Sequence, residues 1–200
     1  MSAVSPRTAR LVALVGVPAA LVASGLLVST ASYSAFSSTT QNPTSNWTAG
    51  TVALTDDDGG KALFTATGLK PGSTGQNCIA VTSTGTLPSV VKLYASGAAT
   101  QTNGLASALQ LTVEQGAGGG YGTCSGFTAA ATDATVYSGT VAGIGGTTTY
   151  AGGLGTWATT GGAAAETRTY RFTWTLPEGT ANTVQGGTAS VGFTWEAQNS

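Results

Sequence analysis

Apolar and polar positions alternate along most of the chain after residue 47, at the period of two that sets one face of a strand against a core. Trp47, Ala49, Val52 and Leu54 belong to a first predicted strand. Asp56-Asp57-Asp58-Gly59-Gly60 then reads as a turn. Ala62, Phe64 and Ala66 alternate with Leu63, Thr65 and Thr67, a second strand pattern. Pro71-Gly72 suits the centre of a tight turn. Strands follow over 77–84 and 90–94, with Pro88 between them, and 105–109 is expected to form one helical turn after Asn103-Gly104. Leu109, Leu111 and Val113 alternate with Gln110, Thr112 and Glu114 as a half-buried strand.

The middle is less regular. Residues 116–122 form a glycine-rich loop, 124–127 are placed on an edge strand, and 135–141 form a strand carrying Val136 and Tyr137. Residues 143–165 are low in complexity and read as irregular, with Leu154 and Trp157 tucked against the body. Near the end Tyr170, Phe172 and Trp174 alternate with Arg171, Thr173 and Thr175, and Val191, Phe193 and Trp195 form a last strand after Gly186-Gly187. Two aromatic-rich strands close together point to the centre of a sandwich.

The N-terminal pattern differs in kind. Arg7 and Arg10 precede an almost uncharged apolar run over 11–28, and small residues then lead to Tyr33-Ser34-Ala35-Phe36. That order matches a signal peptide, with a positive start, an apolar centre and a small-residue cleavage zone. The run is long enough that an uncleaved anchor is the competing reading. Gly16, Pro18 and Gly25 dilute its apolar character, and no basic cluster follows it, so cleavage is favoured. Cleavage after Ala35 leaves Phe36 as the new N-terminus; the other site follows Ser29-Thr30-Ala31. Arg7 and Arg10 are not adjacent, so no twin-arginine signal is indicated. The expected organisation is a signal segment at 1–35, a flexible polar segment at 36–46 and one domain at 47–200. The membrane is met only through the signal segment before cleavage.

Composition narrows the class. Charged residues are 8%, far below the usual quarter, while hydrophobic residues reach 41%, so simple disorder is excluded. Thr, Val, Phe, Tyr and Trp favour strands, and 30 glycines punctuate them. The expectation is an all-β chain, an antiparallel β-sandwich after an N-terminal signal helix. Without Arg7 and Arg10 the chain keeps five basic groups against eight acidic ones. No basic patch is available for a phosphate backbone, so nucleic acid is not an expected partner.

Candidate chemistry is sparse. Cys78 and Cys124 form an even pair in a chain expected to be exported, which reads as one disulfide. A redox or metal pair is the alternative, but further soft ligands are missing. The chain has no histidine, which removes Ser-His-Asp triads, Cys-His pairs and the HExxH zinc helix together. No catalytic residue, cofactor or metal ligand is assigned. The run Asp56 to Asp58 is the best hard-oxygen candidate for Ca²⁺. It lacks EF-hand spacing, and a solvated hairpin turn is the preferred reading. Asn46-Trp47-Thr48 matches a glycosylation sequon, a short motif that often occurs by accident.

Several segments, in order, resemble the TasA/camelysin family of exported bacterial proteins, whose signals are processed by a SipW-type signal peptidase. They are Tyr33-Ser34-Ala35-Phe36, Trp47-Thr48-Ala49-Gly50-Thr51-Val52-Ala53-Leu54, Gly68-Leu69-Lys70-Pro71-Gly72 and Ser83-Thr84-Gly85-Thr86-Leu87. The closing pair is Tyr170-Arg171-Phe172-Thr173-Trp174 and Val191-Gly192-Phe193-Thr194-Trp195-Glu196-Ala197-Gln198. The resemblance implies a jelly-roll β-sandwich, a mature start at Phe36, and a biofilm-matrix role for some members. It also implies that Phe36 to Asn46 is a candidate donor segment completing the sheet of a neighbouring copy. Pro43 within it cannot donate to a ladder. Camelysins have been classed as metalloproteases, an activity not expected of a chain without histidine.

The leading expectation is thus a non-enzymatic secreted or cell-surface structural protein, possible partners being itself or other matrix and cell-surface components. The alternative is a secreted binding module for a glycan or surface partner, using a row of exposed aromatics.

Overall fold

The computed structural model describes residues 49–199. The expected signal helix, Ala35, Phe36, Pro43, Asn46, the sequon and Trp47 lie outside the described residues. The described part is almost entirely antiparallel β. Its strands are β1 (Leu54–Asp56), β2 (Thr74–Ser83), β3 (Ser89–Ala95), β4 (Thr100–Gln101), β5 (Gln110–Ala117) and β6 (Thr128–Ala129). They continue with β7 (Thr135–Thr140), β8 (Leu154–Thr159), β9 (Glu166–Thr175), β10 (Ala189–Ser190) and β11 (Phe193–Asn199). Two single helical turns, α1 (Leu105–Ala108) and α2 (Val141–Ile144), interrupt them.

A six-stranded sheet runs β1-β2-β9-β5, with β6 and β7 both on the far side of β5. A three-stranded sheet runs β11-β3-β8, and β4 and β10 form a separate two-stranded ribbon. The pairs β2·β9, β3·β8 and β5·β7 nest inside one another along the chain. Because β9 also pairs with β5, that long hairpin is rolled over on itself, the jelly-roll winding.

The alternation read from the sequence fills the space between the sheets. Ile79 and Val81, Leu111 and Val113, and Tyr170 and Phe172 come from the large sheet. Val91, Leu93 and Trp157 face them from the small one. An aromatic layer joins the two, with ring centroids 4.7 Å apart for Phe172 and Phe193 and 5.3 Å for Tyr170 and Trp195. Leu105 and Ala106 of α1 and Val141 and Ile144 of α2 add to the same core, where the two turns pack together. Outside, hydroxyls pair across strands in place of charges: Thr74 with Thr175, Thr82 with Thr167, Thr100 with Ser190 and Thr102 with Thr188.

Several expectations hold and several are corrected. Lys70 to Ser73 is a tight turn closed by the Ser73 N–H on the Lys70 carbonyl, with Gly72 at the positive φ of 86° that a type II turn demands. The helical turn over 105–109 and the strands over 77–84, 90–94 and 135–141 are present within a residue or a few. The first strand is shifted, because its ladder begins only at Leu54 and reaches Asp56. Residues 62–67 form no strand. Their carbonyls are taken by side chains: Asn77 Nδ2 donates to Leu63 O (2.7 Å) and the Tyr121 hydroxyl to Ala62 O (2.8 Å). Residues 124–127 are a turn closed by the Phe127 N–H on the Cys124 carbonyl, not an edge strand. The stretch expected to be irregular contains β8, with Trp157 buried. Of the two aromatic strands, β9 is central, but β11 is an edge of the small sheet.

Candidate assembly edge

Cys78 and Cys124 are joined in a disulfide, with Cα atoms 5.2 Å apart and 46 residues between them in sequence. Cys78 lies on β2 and is fully buried, while Cys124 is half-buried in the glycine-rich loop. The bond pins that loop to the margin of the large sheet. A buried disulfide is compatible with an extracytoplasmic protein.

The acidic run is an exposed turn, as expected, although no strand follows it over 62–67 to make a hairpin, and it also ties the fold together. Asp57 Oδ1 accepts from the Ala80 N–H (2.8 Å), and Oδ2 accepts from the Tyr121 N–H (2.8 Å). The carboxylate continues the β1·β2 ladder at the point where the chain turns away, and ties β2 to the loop. Asp58 Oδ1 is occupied by the Gly60 N–H (2.6 Å). Burial, followed by the neighbouring Asp58, pushes the Asp56 carboxyl above its ordinary value. Three carboxylates in a row thus divide their work within the fold. Among the described residues no three His, Cys, Asp or Glu side chains gather into a metal-holding group.

The outer edge of β2 is covered from Asn77 to Ser83. Residues 81–83 pair with β1, Ala80 with the Asp57 carboxylate, and Cys78 forms an isolated bridge with Tyr121. The Gly122 N–H reaches Asn77 Oδ1 (2.9 Å), closing the seal.

β11 presents the opposite case. It pairs with β3 from Phe193↔Ala95 to Asn199↔Ser89, and among the described residues nothing pairs with its other side. The Ser96 N–H on the Gly192 carbonyl fixes the alternation of that ladder. The backbone groups of Thr194, Glu196 and Gln198 therefore face β3, and those of Phe193, Trp195 and Ala197 face outward. Along this edge runs a groove of about 210 Å³ lined by Leu54, Thr55, Asp56, Val81, Phe193, Thr194 and Trp195. It lies between β1 of the large sheet and β11 of the small one. The indole Nε1 of Trp195 is buried without a hydrogen-bond acceptor. On the outer face the Tyr94 hydroxyl donates to Glu196 Oε2 (2.7 Å). Hydrogen bonds from Gln198 and then Tyr94 hold the Glu196 carboxyl below its ordinary value.

Among the described residues no row of exposed aromatics is present. Among the described residues every Trp, Tyr and Phe is buried or half-buried, and the one large apolar side chain classed as exposed is Val52. Sequence reasoning found the disulfide but missed both the role of Asp57 and the free edge. Asp57 carried a usable signal, since a short acid beside a strand end is suited to capping backbone N–H groups. An edge position carries no local signature. Compared with known protein families and with curated proteins, the chain matches no family model and no curated sequence.

Proposed function

We propose that this chain is a non-enzymatic secreted or cell-surface structural protein of the TasA/camelysin kind, a fibre-forming matrix subunit that assembles by strand donation. The observation that carries this reading is the unpaired side of β11 beside the groove at Leu54, Val81 and Trp195. An exposed edge with outward N–H and C=O groups is a template for an added strand, backbone hydrogen bonds giving affinity and the groove taking alternate side chains. The donor is the segment Phe36 to Asn46. The ordered resemblance at both ends of the domain and the signal pattern support export and polymerisation. The complete lack of histidine supports a non-enzymatic role.

Negative-stain microscopy of protein beginning at Phe36, beside protein lacking residues 36–46, tests this reading. Fibres only in the longer form support it. Monodisperse particles in both forms, across concentration and pH, overturn it and transfer the weight to a binding module.

A further inference from the structure

The turn between β4 and α1 brings together the atoms of a reaction that needs no partner but water. Asn103 is the one asparagine in the sequence followed by glycine. Both residues are exposed and hold positive φ, 52° for Asn103 and 74° for Gly104. The Gly104 carbonyl accepts from the Ser107 and Ala108 N–H groups of α1, but the Gly104 N–H has no acceptor among the described residues. A Cβ placed on Gly104 meets nothing within 4 Å, so a ring closing there has room. Other asparagines of the domain are placed differently. Asn77 is half-buried, its Nδ2 donates to the Leu63 carbonyl (2.7 Å), and Cys78 follows it. Asn182 is followed by Thr183, whose branched side chain crowds the next backbone nitrogen. The Asn103 side chain has one tie, from Nδ2 to the Gln185 carbonyl (2.9 Å), at an exposed site where water competes for it. That tie joins the start of α1 to the turn over 182–187. The turn itself closes through the Gln185 N–H on the Asn182 carbonyl and the Gly187 N–H on the Val184 carbonyl.

We propose that Asn103-Gly104 is a self-modification site whose reaction unclasps the 182–187 turn from α1. The Gly104 nitrogen gives its proton to water and attacks Cγ of Asn103. The bond from Cγ to Nδ2 breaks, and Nδ2 leaves as ammonia with a proton from solvent. A five-membered succinimide remains, closed through the Gly104 nitrogen. Water then opens one of its two carbonyls. Attack at Cγ gives aspartate, and attack at the backbone carbonyl gives isoaspartate, in which the chain runs through the side-chain methylene. No electrons change hands, and water is the only co-reactant. Both products lose the Nδ2 donor and gain a carboxylate, so the Gln185 carbonyl faces an acceptor where it had a donor. Isoaspartate also lengthens the backbone inside the turn that the Leu105 N–H closes on the Thr102 carbonyl. Leu105 and Ala106 are anchored in the core, so the added length is taken up at Gly104 and in the turn that faces it. The inference does not depend on strand donation.

The test incubates purified protein beginning at Phe36 in mildly alkaline buffer, folded and in urea, and follows each asparagine by peptide mass spectrometry. An isoaspartyl methyltransferase with labelled S-adenosylmethionine counts the isoaspartate formed. In the folded protein the peptide carrying Asn103 is expected to gain the mass of an amide turned to an acid, while those carrying Asn77 and Asn182 stay unchanged. Amide hydrogen exchange in the modified protein is expected to be about tenfold faster at Gln185 and Gly187 and unchanged in β5 and β9. Freshly made Asn103→Asp should show the same exchange without incubation. Asn103→Gln, whose longer side chain closes a less favourable six-membered ring, should stay unmodified. Conversion of Asn103 in urea but not in the folded protein overturns the proposal, because the fold then protects the site. Conversion with unchanged exchange at Gln185 and Gly187 also overturns it, because nothing is then unclasped.

Discussion

Two strand edges, those of β2 and β11, lie on either side of one groove and are finished in different ways. β2 is covered by β1, by the Asp57 carboxylate and by a loop held with a disulfide. β11 is left bare, with Phe193 and Trp195 turned inward beneath it. Proteins usually blunt exposed edges with charge, proline or cover. Of the two edges beside this groove only that of β2 is covered; β8, β7 and the outer side of β1 also have no partner among the described residues. The contrast teaches that cover goes where β1, three residues long, leaves most of the ten-residue β2 without a ladder.

Four measurements separate the edges, beginning with the largest effect. Removing the disulfide as Cys78→Ala/Cys124→Ala is expected to cost about 4 kcal/mol on the chain-entropy account of a loop this long, read from urea denaturation. Trp195→Ala empties the inner side of the bare edge, and a loss of about 2 kcal/mol is expected for a half-buried aromatic. Binding of a peptide spanning residues 36–46, followed by calorimetry, should weaken with it. Asp57→Ala is expected to cost about 1 kcal/mol, because its two backbone bonds are shared with solvent at an exposed site. Ala197→Pro should change stability least. It deletes an N–H that has no partner among the described residues and leaves the β3 ladder intact. If the proposed strand donation operates, microscopy should nevertheless show that it abolishes fibres.

Acid divides the edges by sign. Glu196 on β11 has a lowered carboxyl value, so it binds protons more weakly folded than unfolded. Its stabilisation is complete above the ordinary value of 4.5 and is lost as pH falls through the depressed one. Asp56 on β1 is raised, chiefly by burial, and runs the other way, gaining as pH falls through its raised value. Hydrogen exchange between pH 5 and 3 is expected to loosen β11 before β1. Equal loosening of the two would remove this distinction.

Where side-chain alternation had a single cause, the sequence was legible. β5 and β9 each bury one face, and Leu111, Val113, Tyr170 and Phe172 mark it plainly. β8 was hidden because its buried positions are Trp157 and Thr159, the latter satisfied by the Ser89 hydroxyl (2.8 Å) and not by apolar contact. Residues 62–67 misled for the converse reason: they alternate, but Asn77 and Tyr121 intercept two of their carbonyls. The aromatic run in β11 was correctly read as facing a core. Whether such a strand is central or marginal depends on what pairs beyond it, and no residue of the strand itself encodes that. Of the candidate site, the cysteine pair could be read directly, whereas the clasp at Asp57 joins residues 23 and 64 positions apart.

The paired hydroxyls on the outer surface have a consequence for where such a protein can work. Threonine against threonine or serine joins β2 to β9 and β4 to β10 through partners that carry no charge and shed no counterions. Screening by dissolved salt acts on charges, and this chain has few of them. Its surface should therefore behave alike in dilute water and in brine, so that its contacts depend little on the ionic strength around it.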